Sequence, residues 1–319
     1  MEAFVEAENL TRTYGAVRAV DRVSFQIRKG EVVGLLGPNG AGKTTTMKML
    51  TCFMPPTEGR VRVAGLDVVE HSLEVRRRLG YLPENVPLYD EMGVWEYLDF
   101  MARVRGIEAS ERGRAIRRAV ARCGLGAMIG KPVSALSKGY RQRLGLAQAV
   151  IHDPDLVILD EPTTGLDPNQ IVEIRQLIRQ IGSEKTVLLS THILQEVEAV
   201  CDRVLIINDG RIIADGTPAQ LHSEFQGAQE LSLLIGGAAH DDLSAALGGI
   251  AGAERVQVGE PDARNSGVFA ASVTSGKDTD LREAIFRLCV QRGWVLLEMH
   301  RRVVSLEDIF RKLTVREGA

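Results

Sequence analysis

One glycine-rich loop, GPNGAGKT at residues 37–44, constrains the fold of this chain more than any other segment. It matches the pattern G-x-x-x-x-G-K-[S/T], follows the apolar run EVVGLL and precedes the helix-like TTTMKMLTCF. In that context the glycines let backbone N–H groups curl around phosphate oxygens. Lys43 would reach the terminal phosphates, and the hydroxyl of Thr44 would bind Mg²⁺. The loop therefore predicts that the chain binds a nucleoside triphosphate.

Short apolar runs around this loop predict a parallel sheet. They lack polar alternation, which is typical of strands buried on both faces, and they read EVVGLLG, DLVILD, TVLLST and RVLIIND. A helix-like segment between two of them has its own start signal, since Asp167 can cap it and Pro168 fits its first position. Its apolar face is formed by Ile174, Leu177, Ile178 and Ile181. The alternation predicts an α/β architecture.

Two further regions have a different character. Residues from about 85 to 135 carry helical patterns without a clear core strand, so we expect a helical subdomain inserted into the α/β core. From residue 226 the patterns follow the order β-α-β-β-α-β, which predicts a small, ferredoxin-like α+β unit. A final helix-like segment, SLEDIFRKL, starts with Ser305 as its expected N-cap. The predicted domains are residues 1–225 and 226–319.

Composition narrows the class of protein. The formal net charge of −3 over 319 residues argues against a protein that coats nucleic acid. Arginine runs such as EVRRRLGYL are interpreted as solvated helix faces. No stretch approaches the roughly 20 apolar residues that cross a bilayer, and the acidic N-terminus is unlike a signal peptide. The four cysteines are scattered, which suits a reducing compartment. We therefore expect a soluble, cytoplasmic protein.

The apolar run DLVILD ends beside an acidic pair. Asp160, at the carboxyl end of the predicted strand, can hold Mg²⁺, and Glu161 is placed to accept a proton from an attacking water. An isolated Asp-Glu pair here is commonly a helix cap, but the phosphate loop favours the catalytic interpretation. His192 ends another strand at the same sheet edge and can reach a γ-phosphate. Tyr14 can stack on a base, and its alternative role is packing at a turn.

A second anion site is indicated by LSKGYRQRLGLAQAV at residues 136–150. Ser137 and Gly139 stand at the start of a helix whose apolar face carries Leu144, Ala147 and Ile151. A helix N-terminus has free N–H groups and a partial positive charge, so it attracts anions. The segment lies about a hundred residues after the phosphate loop, and this leaves open which anion it binds.

Five separated motifs occur in one order: the phosphate loop, LSKGYRQR, LVILDEP, GLD at 165–167 and the strand-end His192. Together they resemble the ATP-binding subunit of an ABC transporter, over roughly residues 3 to 220. The tail segment SLEDIFRKLT is similar to those of ATPase subunits that serve exporters, including multidrug-export and gliding-motility types. The resemblance implies a P-loop NTPase core of the ABC type that hydrolyses ATP with Mg²⁺ and drives export.

In this family, two ATPase domains face each other head to tail. The resemblance therefore implies that Ser137 and Gly139 of one copy bind ATP held on Lys43 of a second copy. Asp167 would cross the same interface. Nucleotide binding would then close the dimer, and hydrolysis would reopen it.

The chain departs from the family pattern in two places. The signature usually reads LSGGQ, and here Lys138 and Tyr140 replace a glycine and the glutamine, although the phosphate-facing Ser137 and Gly139 remain. The Q-loop position usually carries a glutamine that touches Mg²⁺ and the attacking water, and here it is Glu84. A carboxylate there can bind the metal more firmly or stay out until the interface closes, and both alternatives remain open.

The residues and the resemblance together define the expected site. Catalysis is assigned to Glu161, His192 and Lys43. The predicted metal ligands are Thr44, Asp160 and Glu84. The predicted nucleotide contacts, drawn from both copies, are Tyr14, Gly37, Pro38, Asn39, Gly40, Ala41, Gly42, Lys43, Thr44, Thr45, Ser137, Gly139, Gln142 and Asp167.

The resemblance also implies partners. A separate transmembrane permease would join the second ATPase copy at the cytoplasmic face of the plasma membrane, and no nucleic acid is expected. The helical region after Glu84 would dock the permease through Leu88, Tyr89, Trp95 and Tyr97, or these side chains pack within the insertion. The C-terminal domain is expected to regulate the ATPase or stabilise its dimer.

Two other functions stay open from sequence. A soluble ABC-type ATPase of DNA repair needs a long coiled coil, whereas only about ninety residues separate the phosphate loop from the signature. Translation factors of this type usually carry two ATPase domains in one chain. A non-catalytic module that only switches partners is disfavoured by Glu161 and His192, while Glu84 keeps that alternative open.

Overall fold

The computed structural model describes residues 3–225, 229–262, 265–276 and 279–302. Contacts divide the chain into two compact units with a boundary between Pro218 and Ala219, whereas the sequence suggests a division after residue 225. Each unit has its own apolar core, and each is described by itself. The expected helix at SLEDIFRKL, with its cap Ser305, lies outside the described residues.

A six-stranded, mainly parallel sheet forms the centre of the first unit. The strands of this unit are β1 (Ala3–Tyr14), β2 (Val17–Arg28), β3 (Val32–Leu36), β4 (Glu58–Val63), β5 (Leu66–Asp67), β6 (Leu79–Leu82), β7 (Leu156–Asp160), β8 (Thr186–Thr191), β9 (Arg203–Asn208) and β10 (Arg211–Gly216). The order in the central sheet is β10-β9-β3-β8-β7-β6, with only β10 antiparallel to its neighbour. Strands β3, β7 and β8 are buried throughout, which explains their continuous apolar sequences. The four predicted apolar strands are confirmed.

A second sheet, with the order β2-β1-β4-β5, is antiparallel and was not expected from the sequence. Its signal is the two-residue alternation in β2, where Val23, Phe25 and Ile27 are buried while the residues between them are exposed. Alternation of this kind is typical of a strand with one face on the core. This sheet packs its apolar face against the same core as β3.

Helices surround the central sheet and connect its strands. They are α1 (Lys43–Leu50), α2 (Ser72–Arg78), α3 (Val94–Val104), α4 (Ala109–Arg122), α5 (Lys138–Val150), α6 (Pro168–Gly182) and α7 (Leu194–Val200). A further helix, α8 (Pro218–Phe225), begins at the boundary and belongs to the second unit from Ala219 on. The predicted start of α6 is confirmed, because the Asp167 side chain accepts a hydrogen bond of 2.9 Å from Gln170 N and Pro168 is the first helical residue. The predicted apolar face of α6 is buried.

The region from 85 to 135 contains α3, α4 and two short 3₁₀ turns, Gly126–Met128 and Val133–Ala135. No strand lies within this range, all of which the structure describes, so the expected helical subdomain is present. Tyr97 is only 1% exposed, and its hydroxyl donates a hydrogen bond to Gln148 in α5. Of the two alternatives, docking or packing, burial excludes docking for Tyr97, whereas Tyr89 and Trp95 are exposed.

The second unit has the predicted order β-α-β-β-α-β. Its elements are β11 (Gln229–Gly236), α9 (His240–Gly248), β12 (Ala253–Asp262), β13 (Asn265–Ser275), α10 (Arg282–Arg292) and β14 (Val295–Arg302). The strands form one antiparallel sheet in the order β12-β13-β11-β14. Leu231, Leu233 and Ile235 of β11 pack with Leu243 of α9 and Ile285 of α10 in its core. This is a ferredoxin-like arrangement.

Candidate active site

The glycine-rich loop leaves the carboxyl end of β3 and leads directly into α1. Gly42 has a φ of 105°, and a Cβ there would lie 2.5 Å from the carbonyl oxygen of Ala19. A Cβ on Gly37 would lie 2.4 Å from the carbonyl oxygen of Ile207. Both distances are shorter than a carbon–oxygen contact allows, so glycine is required at each position. The loop backbone consequently stays close to the sheet edge and keeps its N–H groups free of side-chain bulk.

Lys43 is the first residue of α1, and its side chain is almost fully buried. The Nζ atom donates hydrogen bonds to the carbonyl oxygens of Gly37 at 2.8 Å and Pro38 at 3.3 Å. It also lies 3.2 Å from Oε1 of Glu161. This ammonium is therefore held inside the curl of the loop, opposite an acidic group.

A cavity of about 370 Å³ opens beside this loop. It brings together residues from five separate parts of the chain, from before β3 to the end of β8. The lining residues are Ala19, Asn39, Gly40, Gly42, Lys43, Thr44, Thr45, Glu84, Glu161, Thr164 and His192. The three predicted catalytic residues thus share one cavity with most of the predicted loop contacts.

Asp160 ends β7 and is 1% exposed. Its Oδ1 accepts hydrogen bonds from the hydroxyls of Ser190 at 2.5 Å and Thr44 at 3.3 Å, while the buried Oδ2 has no hydrogen-bond partner. Burial raises the pKa of Asp160 above its ordinary value, and the bonds from Ser190 and Thr44 oppose that shift. A buried carboxylate oxygen without a partner beside a threonine hydroxyl is a donor set that fits a hard cation such as Mg²⁺.

The described residues hold no group of three or more His, Cys, Asp or Glu side chains that would form a closed metal cage. Mg²⁺ commonly needs only one or two protein oxygens, with substrate phosphates and water completing its shell. Thr44 and Asp160 are consistent with such a shared site. Glu84 follows β6 and lines the same cavity, so its carboxylate is within the site.

Glu161 follows Asp160 with an unusual backbone, since its φ is 48°. Its N–H donates to the hydroxyl oxygen of Ser190 at 3.0 Å and to the Ser190 carbonyl oxygen at 3.2 Å. Its Oε2 accepts a hydrogen bond from Thr164 at 3.3 Å and lies 2.9 Å from Nδ1 of His192. Oε1 is within ion-pair distance of Lys43 but outside hydrogen-bond geometry. Thr164 and His192 therefore orient the Oε2 atom of this carboxylate, and the Lys43 ammonium lies close to Oε1 and balances the negative charge.

Tyr14 ends β1 and does not line the cavity. Its ring lies 5.1 Å from the guanidinium of Arg12, and its hydroxyl donates to the sulfur of Met54. The side chain is 45% exposed, so a flat face remains open to solvent. A stacking role on a base stays a prediction.

The signature segment forms the start of α5, as the sequence predicts. Ser137 caps this helix, and its Oγ accepts a long hydrogen bond of 3.5 Å from Tyr140 N. Ser137 is exposed, whereas Gly139 and Gln142 are buried. A Cβ on Gly139 would lie 2.7 Å from the side-chain amide of Gln170 in α6.

This second anion site does not line the 370 Å³ cavity of the same chain. Asp167 is likewise absent from its lining, because its carboxylate caps α6. Lys138 takes the position of a signature glycine, and its ammonium lies against Gly165 of the GLD segment. Within one chain, the phosphate loop and the start of α5 are therefore two separate predicted anion sites.

Two contributors to the site were missed from sequence. Ser190 links the Asp160 carboxylate to the Glu161 backbone, and Thr164 contacts the Glu161 carboxylate. A signal for Ser190 existed, since it stands two residues before His192 at the carboxyl end of the same strand. Thr164 is in an irregular segment, where spacing alone does not indicate which way a side chain points.

Comparison with known proteins agrees with this geometry. Residues 20–164 match the family model described as ABC transporter. The chain belongs to the ATP-binding subunits of ABC transporters, a family of ATP hydrolases.

Individual relatives extend that match. The chain is 40% identical over 221 residues to the ABC transporter ATP-binding protein NatA of Bacillus subtilis, covering 69% of this chain and 89% of NatA. It is 34% identical to the Nod factor export ATP-binding protein I of Ralstonia nicotianae, covering 98% of this chain and 94% of the relative. A solved ATP-binding subunit of an ABC transporter matches 70% of this chain and 93% of its own, with 32% identity and a TM-score of 0.63. Within the described part of the chain, no helix has the length and hydrophobicity of a membrane span.

Proposed function

We propose that this chain is the ATP-hydrolysing motor of an exporter and that it works as a head-to-tail pair of copies. One observation carries the proposal: Lys43, Glu161 and His192 line one cavity, while the exposed Ser137 at the start of α5 lies outside it. A second copy would bring its own α5 N-terminus to that cavity, and this would complete the set of groups around the triphosphate.

The proposed reaction is in-line attack of water on the γ-phosphate of ATP. Glu161 accepts a proton from the attacking water, and its carboxylate is aimed by Thr164 and His192. Lys43 places its positive charge against the phosphates, where negative charge shifts in the transition state. His192 also orients the γ-phosphate. The loop backbone from Asn39 to Gly42 supplies N–H groups to the remaining phosphate oxygens, with Gly37, Pro38, Ala41 and Thr45 shaping the cradle.

Thr44 and Asp160 are the proposed ligands of Mg²⁺, with Glu84 as a further candidate at the cavity wall. When bound, the ion would neutralise phosphate charge. The hydrogen bond from Ser190 keeps Asp160 pointed toward Thr44, so the two oxygen donors stay together. Tyr14 is proposed to stack on the adenine base.

The second copy is proposed to contribute Ser137 and Gly139 at its signature helix, with Gln142 behind them and Asp167 beside them. Lys138 and Tyr140 do not remove either phosphate-facing residue, so activity is retained in this proposal. Asp167 keeps the start of α6 next to the signature, because Gln170 of the same turn packs on Gly139.

Export through a separate membrane subunit is the proposed task. Its support is the similarity, over nearly the whole chain, to a relative named as an export ATP-binding protein. Tyr89 and Trp95 are exposed on the helical subdomain, and the Tyr89 ring packs edge-on against Phe100 at 5.6 Å between centroids. Exposed aromatic side chains are typical of docking surfaces. The chain would then lie on the cytoplasmic face of the membrane, and the membrane subunit would select the cargo.

Light scattering on the Glu161→Gln variant tests the composite site. This variant keeps the shape of the site but lacks the base, so bound ATP persists. We expect Mg-ATP to shift the mass from one copy to two, and Ser137→Arg to abolish the shift. Ser183→Arg, an exposed serine at the far end of α6, is the matched control and should leave the shift intact. A single-copy mass with and without Mg-ATP would contradict nucleotide-driven pairing.

The second unit is proposed to regulate the ATPase or to stabilise the dimer. Its separate core supports an independent role, and its cysteine, Cys289, is buried in that core. Deleting residues 226–319 should change either the dimerisation or the rate of ATP hydrolysis. Unchanged values for both would rule this role out.

A further inference from the structure

One buried carboxylate outside the cavity has no part in the chemistry proposed above. Glu196 lies in α7, is 2% exposed and does not line the 370 Å³ cavity. Its Oε1 accepts a hydrogen bond from the Thr163 hydroxyl, and its Oε2 accepts one of 2.7 Å from the Thr191 hydroxyl. Both carboxylate oxygens are therefore satisfied by threonines that are themselves buried.

The two threonines stand next to the proposed catalytic groups. Thr163 comes two residues after Glu161, in the segment that leaves β7. Thr191 is the last residue of β8 and directly precedes His192. One carboxylate thus joins the two segments that carry the base and the histidine, whose side chains lie 2.9 Å apart.

Thr191 makes two further contacts, one with the turn that follows β8 and one with the phosphate loop. The Thr191 hydroxyl accepts a hydrogen bond of 3.0 Å from Ile193 N, which shapes the turn that presents His192. The Thr191 carbonyl oxygen accepts one of 3.3 Å from Gly37 N, at the start of the loop. Glu196 therefore lies behind three segments that meet at the cavity.

Burying a carboxylate is costly unless its hydrogen bonds are complete, and an apolar side chain would fill the same space with less penalty. Stability alone therefore does not favour a glutamate here. What an apolar side chain cannot do is hold two hydroxyls from different segments at fixed directions. Direction matters here because small displacements of catalytic groups lower rates steeply.

We infer that Glu196 is a positioning residue for ATP hydrolysis, which holds Glu161 and His192 in register through Thr163 and Thr191. The inference rests on the proposed roles of Glu161 and His192. Glu196 touches neither nucleotide nor water at the cavity, so it acts on the chemical step and leaves the binding of ATP unchanged.

Steady-state hydrolysis by the full chain tests this. In Glu196→Gln one acceptor oxygen becomes an amide donor, so the hydroxyl facing it must accept instead of donate and its own hydrogen loses the carboxylate as acceptor, while the shape is kept. We expect kcat to fall about tenfold with the KM for ATP changed less than about twofold. Thr163→Val and Thr191→Val leave the carboxylate in place and should each lower kcat in the same way, which also covers a Glu196→Gln protein that does not fold. Glu198→Gln, an exposed position on the same helix, is the control and should change neither parameter.

The His192→Ala background separates positioning from general stabilisation. If Glu196 acts through the histidine and the base, its substitution should lower kcat by less than about twofold once His192 is gone. An equal loss of kcat in both backgrounds, or an unchanged kcat in the single variants, would overturn the inference. Full activity in His192→Ala and Glu161→Gln would instead overturn the proposed catalytic roles, and this inference with them.

Discussion

Oε2 of Glu161 lies 2.9 Å from Nδ1 of His192, although 31 residues separate the two in the chain. The contact joins the ends of two neighbouring parallel strands. Glu161 reaches it with a φ of 48°, a conformation that costs on the order of 1–3 kcal/mol for a residue with a side chain. Two hydrogen bonds from its N–H to Ser190 hold that backbone. The geometry of the base is thus imposed by the tertiary structure.

Glu161→Gln should lose ATP hydrolysis and keep ATP binding. Glutamine preserves the size of the side chain but cannot accept the proton of the attacking water. Removal of a general base typically lowers a rate by about 100-fold or more, so kcat should fall by at least that factor. Phosphate release, measured on this variant, checks the loss of hydrolysis, and equilibrium nucleotide binding checks that ATP still binds. Hydrolysis at the wild-type rate would assign the base elsewhere.

Ser190→Ala should destabilise the fold and weaken the metal site together. The substitution removes the hydroxyl that donates to Asp160 and accepts from Glu161 N, and both partners are buried. Asp160 keeps its bond from Thr44 and the Glu161 N–H keeps its bond to the Ser190 carbonyl oxygen, so the cost is that of two lost hydrogen bonds, about 1–3 kcal/mol, which urea unfolding would report. The Mg²⁺ concentration needed for half-maximal hydrolysis should rise. Ser183→Ala, whose exposed hydroxyl bonds only to Gln180 O, is the control and should match the wild type.

Gly42→Ala should abolish nucleotide binding and lower stability. The residue combines a φ of 105° with an approach that would place the new Cβ 2.5 Å from a backbone oxygen. Gly15→Ala provides the comparison, because Gly15 has a φ of 57° but nothing within 4 Å of a new Cβ. Its cost should be backbone strain alone, about 1 kcal/mol. Equal melting temperatures for the two variants would contradict the steric explanation.

The stability of the chain should fall as pH drops below neutral because of His152. Burial, assisted by the nearby Arg105 charge, lowers the pKa of His152 from 6.5 to about 4, although its Nε2 lies 3.1 Å from the Leu79 carbonyl oxygen. His152 therefore binds a proton near pH 6.5 in the unfolded chain but only near pH 4 in the folded chain. Stability is complete above the unfolded pKa and is lost through this window as pH falls.

The size of that loss is measurable. Between pH 7 and pH 5 it amounts to about 2 kcal/mol for a single such group. His152→Gln can still donate to Leu79 but does not titrate, so its urea midpoint should change less over the same range. His71→Gln, at an exposed histidine, is the control and should retain the wild-type dependence. A His152→Gln protein with the full wild-type pH dependence would show that other groups cause it.

Features that depend on neighbours in the chain were predictable from sequence. The phosphate loop is a short motif between a strand and a helix, and the cap of Asp167 on α6 involves residues only three apart. The buried strands β3, β7 and β8 are recognisable as continuous apolar runs, because both of their faces are covered. The antiparallel sheet was missed, since its strands β1 and β4 pair across more than forty residues.

The residues alone indicated the kind of chemistry, because Lys43 stands in a glycine-rich loop between a strand and a helix, and Asp160 and Glu161 stand at the end of an apolar strand. Contacts between distant parts of the chain set which side chains orient these three groups. Ser190 reaches Asp160 from a neighbouring strand, Glu196 reaches Thr163 from a helix 33 residues away, and Tyr97 turns inward to Gln148. Such contacts depend on which strands and helices become neighbours in space, and the free energy that selects them comes from packing the whole core rather than from any local segment.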